Sequence, residues 1–150
     1  MKHVRKSVLL WYSPREMYEL VTGVESYPDF LPWCQGAQVL ERHDDGVTAR
    51  LGLAYMGIRQ SFTTRNVQLS DASVKLTLVD GPFSQLEGLW HFKPLAAADA
   101  GQSACKVEFD MRYSFSSPAL EAVISPVFDK VVNTFVDCFV RRAEAVYGPR

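Results

Sequence analysis

The sequence predicts an α+β fold: a curved antiparallel sheet of roughly six to seven strands wrapped around one long C-terminal helix, with two short helices after the first strand. Three observations carry this. Apolar residues alternate with polar ones through much of residues 36–116, the period of strands with one buried face. From Pro118 the spacing becomes three and four residues, as on the apolar stripe of a helix. Pro28 and Pro32 limit the aromatic-rich stretch Val24–Cys34 to a short helical turn or irregular segment.

The elements follow in order. Residues 2–12 are β-branched and aromatic with partial alternation, and read as a strand. Ser13-Pro14-Arg15-Glu16 starts a helix: Ser13 is the N-cap, Pro14 suits the first helical position, and Glu16 completes a capping box. Met17, Tyr18, Leu20 and Val21 give that helix an apolar face before Thr22-Gly23 ends it. Six strands follow, divided by turn signals at Asp44-Asp45-Gly46, Met56-Gly57, Ser70-Asp71, Gly81-Pro82 and Ala98-Asp99-Ala100-Gly101. Ser117 and Pro118 open the last helix, and Leu120, Ile124, Val127, Phe128, Val131, Phe135 and Phe139 form its stripe. Pro126 lies inside it and is expected to kink it, because the ring clashes with the carbonyl of Ala122.

Composition removes whole classes of function. The chain of 150 residues is 47% hydrophobic and 22% charged, with a formal net charge of -1, which excludes a disordered or strongly basic protein. Nothing global recruits it to DNA or an anionic membrane. One domain of this length buries roughly 70% of its unfolded surface and needs no staple. Cys34, Cys105 and Cys138 are widely spaced without a CxxC, as expected of reduced core cysteines in a cytoplasmic protein. The short apolar run Val8–Tyr12 fits neither a signal peptide nor a stable membrane insertion.

Catalytic signatures are absent: there is no GxSxG, no phosphate-binding glycine loop and no GxGxxG. His3, His43 and His91 are isolated, so neither a catalytic residue nor a metal ligand is assigned. The inward faces are more informative. Leu86, Gly88, Trp90 and Phe92 share one face, with Gly88 leaving space beside two rings; Tyr55, Phe62, Met111, Tyr113 and Phe115 share the same parity. A filled core and a ligand cavity both fit this pattern, with Tyr55, Asn66 and Tyr113 as the candidate polar contacts. On the opposite sheet face Arg50, Arg59 and Arg65 form either a solvated surface or a phosphate-contacting one.

Four blocks carry a resemblance over essentially the whole chain: Tyr27-Pro28-Asp29-Phe30-Leu31-Pro32-Trp33-Cys34; Phe62-Thr63-Thr64-Arg65-Asn66; Gly81-Pro82-Phe83 through Leu86, Gly88, Trp90 and Phe92; and Phe139-Val140-Arg141-Arg142-Ala143. They resemble the RatA-type ribosome association toxins of bacteria, relatives of the mitochondrial coenzyme Q-binding proteins within the START-like (SRPBCC, polyketide cyclase/dehydrase-type) superfamily. Thr64 stands where that family more often has Ser, which keeps the hydroxyl.

The resemblance implies a helix-grip fold enclosing an apolar cavity, and two functions. The first is non-enzymatic binding of ubiquinone or a related isoprenoid lipid, supporting respiration, with no required cofactor. Phe30, Leu31 and Trp33 would then form the mouth; Tyr55, Phe62, Asn66, Trp90, Phe92, Met111 and Tyr113 would line the sheet side, and Phe128, Val131 and Phe135 the helix side. On this reading Trp90→Ala should alter ligand affinity and leave the fold intact. The alternative is binding of the large (50S) ribosomal subunit, blocking subunit association and translation, through Arg50, Arg59 and Arg65 or the Tyr27–Trp33 segment. A cyclase-like enzyme rests only on superfamily company. The absence of a transit peptide favours a bacterial cytosolic protein over a mitochondrial one.

Overall fold

Because residues 34–95 and 104–115 largely alternate apolar and polar residues in strand-length runs, they pair as an antiparallel meander. In the computed structural model, which describes residues 1–95 and 103–150, the strands are β2 (Cys34–His43), β3 (Gly46–Tyr55), β4 (Ile58–Leu69), β5 (Ser73–Asp80), β6 (Phe83–Leu95) and β7 (Ala104–Phe115). The first strand, β1 (Lys2–Leu10), adds antiparallel to β7, Val4 facing Met111 and Val8 facing Val107. The result is a seven-stranded sheet in the order β1-β7-β6-β5-β4-β3-β2. The turn expected over Ala98–Gly101 lies outside the described residues.

Met56 and Gly57 both have positive φ, 49° and 81°, which is the two-residue hairpin turn whose twist matches its flanking strands. Register shifts in β2, between Thr63 and Thr64, and between Phe83 and Gln85 bend and twist the sheet locally. The concave face thus carries the inward rungs, of which one is Val47, Asn66, Leu76, Gly88 and Met111.

The helix signals hold. In α1 (Pro14–Thr22), Ser13 and Glu16 form the reciprocal capping box, with Pro14 in the first turn. A 3₁₀ segment, Val24–Asp29, accommodates Pro28. The last helix, α2 (Pro118–Tyr147), is capped by Ser117 and runs unbroken through Pro126. That proline sits on the exposed side, as does Ala122, so the carbonyl deprived of its helical donor is solvated. Ile124, Val127, Phe128, Val131, Val132, Phe135 and Phe139 are buried on the sheet.

The first strand ends two residues short of expectation. Tyr12 turns inward and its hydroxyl donates to the Gly148 carbonyl at 2.7 Å; the Tyr147 hydroxyl donates to the Glu16 carbonyl, and Arg150 holds the Glu16 carboxylate with two nitrogens. These bonds clamp the end of α2 onto the start of α1. All three cysteines are buried thiols, and burial pushes Cys34 and Cys105 up to about 11, so neither is a nucleophile at neutral pH. No helix among the described residues is long and apolar enough to cross a membrane.

A candidate ligand cavity

The space between the concave sheet and α2 holds an apolar cavity of about 50 Å³. Of the residues assigned from sequence, Trp33, Phe62, Asn66, Trp90, Met111, Phe128, Val131 and Phe135 line it. A few water-sized spheres fit, whereas ligand sites commonly offer roughly 300 Å³ or more. The pattern that left core and cavity as alternatives therefore produces both, a largely filled interior with a residual void. Gly88 does not open that void. A Cβ there would meet the Leu76 methyl at 3.0 Å and the Met111 methyl at 3.1 Å, so the glycine's space is already taken by flexible side chains.

The other assigned residues lie elsewhere. Leu31 is fully buried, and Phe30 packs edge-on against Tyr27 and Phe139 under the Arg142 guanidinium. They brace the 3₁₀ segment and do not form a mouth. Trp33 is wall, not lid: only 3% exposed, it lies 5.9 Å from the Phe135 ring. Tyr55 is half-buried against the core but does not line the cavity, and the Lys130 ammonium lies 5.6 Å from its ring centroid. Phe92 is stacked beside Trp90 and edge-on to Tyr18 of α1. Tyr113 is buried against Phe128, but its hydroxyl is spent on Asp129 at 2.5 Å.

That last bond belongs to a closed polar cluster. Asp129 also receives Lys2 and the Ser125 hydroxyl, and Lys2 donates to Ser125 as well. Burial works against the Asp129 charge, yet the Lys2 ammonium and the two hydroxyls hold its carboxyl below the usual range. Burial, reinforced by the carboxylate, pushes the Tyr113 phenol upward.

Four polar side chains line the cavity, Tyr27, Trp33, Thr64 and Asn66, and the Tyr27 hydroxyl is taken up by the Val21 carbonyl. Thr64, buried like Asn66, donates its hydroxyl to Asn66 Oδ1 at 2.6 Å. Among the described residues Asn66 Nδ2 makes no hydrogen bond, and Trp33 Nε1 is buried with no partner. Gly46 is needed beside this pair, because at its φ of 155° a Cβ would fall 1.8 Å from the Asn66 carbonyl oxygen. Sequence reasoning passed over Thr64, Tyr27 and Phe109, which also line the cavity; Thr64 had a signal, sharing strand parity with Phe62 and Asn66.

On the convex face the arginines are not equivalent. Arg65 is tied to Asp45 and to the Asn66 carbonyl, and its hydrogen bond holds the Asp45 carboxyl below its ordinary value. Arg50 donates to the Ser61 hydroxyl at 3.1 Å. Exposed Arg59 has no ion-pair partner among the described residues.

A seven-stranded antiparallel sheet folded round a long C-terminal helix, with an apolar cavity between them, defines a helix-grip protein of the START-like kind. The chain belongs to the polyketide cyclase / dehydrase and lipid transport family, whose profile matches residues 10–140. It is similar to the ribosome association toxin RatA of Pseudomonas aeruginosa, at 41% identity over 97% of this chain and 98% of that one. More distantly, it is similar to the mitochondrial coenzyme Q-binding protein COQ10 homolog B of Xenopus laevis, at 27% identity over 95% of this chain and 58% of that one. An 18 kDa protein of Caulobacter crescentus, solved in solution, superposes with a TM-score of 0.74 at 30% identity, covering 99% of this chain and 100% of that one.

Proposed function

We propose that this protein binds an isoprenoid-type lipid, with ubiquinone the reference ligand, between the sheet and α2, and that it acts as a carrier in support of respiration without catalysing a reaction. The observation that carries this reading is an apolar cavity whose few polar atoms include unspent hydrogen-bond donors. Coenzyme Q binding is also what the distant Xenopus relative is named for. At about 50 Å³ the cavity must widen to admit a quinone ring. Met111 and Leu76, flexible side chains in contact with the space above Gly88, are suited to yield. Burial of the tail then contributes roughly 25 cal/mol per Å². The test is native mass spectrometry of freshly purified protein with organic extraction. A co-purifying quinone or polyprenyl species supports the reading, and a protein that neither carries nor takes up such a lipid refutes it.

A second reading is favoured by the similarity to RatA along nearly the whole length of both chains: association with the large ribosomal subunit in the bacterial cytoplasm. Arg50 and Arg59 supply the exposed charge for phosphate contacts, with Arg65 engaged by Asp45. Binding should then weaken as salt rises, and Arg50→Glu with Arg59→Glu should weaken co-sedimentation with large subunits about tenfold or more. Unchanged, salt-independent co-sedimentation would remove this surface from the proposal. The two readings are compatible, since a lipid that widens the grip would also move the sheet's outer face.

A further inference from the structure

We infer that Trp33 and Asn66 read the head group of the bound lipid, selecting a neutral hydrogen-bond acceptor such as a quinone carbonyl over an anionic or purely hydrocarbon ligand with the same tail; this rests on the ligand-binding reading above. The argument is one of hydrogen-bond inventory. An indole N–H can only donate, and that of Trp33 is buried beside the cavity without a partner. Asn66 has an acceptor and two donor hydrogens. Its oxygen already accepts from Thr64 and keeps one lone pair, so the larger part of what it offers the cavity is its two N–H hydrogens.

The unspent polar capacity of these two residues is therefore mostly of donor type, three N–H hydrogens against the one lone pair left on Asn66 Oδ1. A ligand that only donates finds a single lone pair there, and a hydrocarbon leaves the Trp33 donor buried without a partner and the Asn66 amide N–H groups unpaired. Charge narrows the class further. The cavity lining contains no Lys, Arg or His, so a diphosphate or carboxylate head would be desolvated against apolar walls without a counter-ion. Asn66 also stands alone as a polar residue in the rung Val47, Asn66, Leu76, Gly88, Met111, where packing alone would take an apolar side chain.

The experiment uses the full chain and three probes of matched tail: a benzoquinone with two isoprene units, the corresponding prenyl diphosphate, and an isoprenoid hydrocarbon of equal length. Affinities are read by equilibrium dialysis, with circular dichroism to confirm folding. The parent is expected to bind the quinone about tenfold more tightly than the hydrocarbon, as expected of one to two hydrogen bonds, and the diphosphate least. Trp33→Phe keeps an aromatic ring and deletes the donor. It should lower quinone affinity several-fold while hydrocarbon affinity stays the same. The paired variant Thr64→Val with Asn66→Leu removes the amide without stranding the threonine hydroxyl, and should do the same. Equal affinity of the parent for quinone and hydrocarbon, or equal losses for both probes in the variants, overturns the head-group assignment and leaves lipid binding standing. Binding of none of the probes overturns lipid binding itself, and the assignment with it.

Discussion

Two tryptophans line the same cavity and face the same phenylalanine, yet they are built in differently. Trp90 lies 5.7 Å from Phe135, and also packs on Phe109 at 4.5 Å, on Phe139 at 5.3 Å and beside Phe92. Trp33 lies 5.9 Å from Phe135 and keeps an unpaired indole nitrogen. One indole is embedded in the aromatic centre of the sheet. The other stands at the start of β2, where its backbone carbonyl takes the Ala54 N–H and its side chain retains a donor. Two residues of one type on one cavity wall thus differ in setting: Trp90 is ringed by four aromatic side chains, whereas Trp33 meets one and buries an indole N–H that has no partner.

The comparison is broken most severely at Trp90. Because it is 1% exposed and ringed by aromatic neighbours, Trp90→Ala should cost about 3–5 kcal/mol of stability. Urea denaturation checks this, and a loss below about 1 kcal/mol would mean that the interior relaxes around the gap. The expectation that this substitution would change affinity and spare the fold is therefore replaced: a lowered affinity in this variant would report unfolding as much as recognition.

Much of this was legible in the sequence, and the limit has a physical form. The capping box at Ser13, the strand parities, the Met56-Gly57 turn and the stripe of α2 are local signals, each fixed by a few neighbouring residues. Parity placed Phe62, Asn66, Trp90 and Met111 on the inner face, and all four reach the cavity. Parity cannot say how far along the sheet a residue lies or what sits above it. So Phe92 falls under α1, Tyr55 packs on the core without lining the cavity, and Tyr113 turns its hydroxyl to Asp129. The aromatic block Tyr27–Trp33 was recognisable as a cover for apolar surface. That Phe30 and Leu31 brace it while Trp33 forms wall depends on α2 arriving from residues more than a hundred positions away.

The Tyr113–Asp129 cluster gives the next contrast, since all its members are satisfied where Trp33 and Asn66 are not. Asp129→Ala leaves the Tyr113 hydroxyl buried and unpaired, and should cost about 2 kcal/mol. The figure is held down by solvent screening, because the Lys2 and Asp129 side chains are 39% and 34% exposed. The sign with pH follows from the shifts. The Asp129 carboxyl is held low in the folded protein, so its stabilisation is present above the unfolded value near about pH 4 and is lost as pH falls through the lower folded value. The Tyr113 phenol is held high, so its contribution is present below about pH 10 and lost above that. Stability of the parent minus that of Asp129→Ala, followed by urea denaturation, should therefore shrink at acid pH. At alkaline pH it should shrink only in part, because burial is the first cause of the Tyr113 shift and survives the substitution. A difference that stays constant down to about pH 2 would show that the carboxylate's charge is not what the cluster uses.

Trp33→Phe should have the smallest effect on stability, and the size of that effect is the sharpest test of the contrast. The substitution removes ring volume, which costs about 1 kcal/mol where neighbours partly close the gap. It also removes a buried donor that has no partner, and relieving an unsatisfied N–H acts in the opposite sense. The two terms offset one another, so the midpoint of urea unfolding should move by less than that of Asp129→Ala and far less than that of Trp90→Ala. A loss at Trp33 as large as that at Trp90 would show that both indoles serve packing, and the division drawn between them would fail. A near-neutral result in protein freed of lipid, set against a several-fold loss of quinone affinity in the same variant, separates recognition from folding at one nitrogen atom.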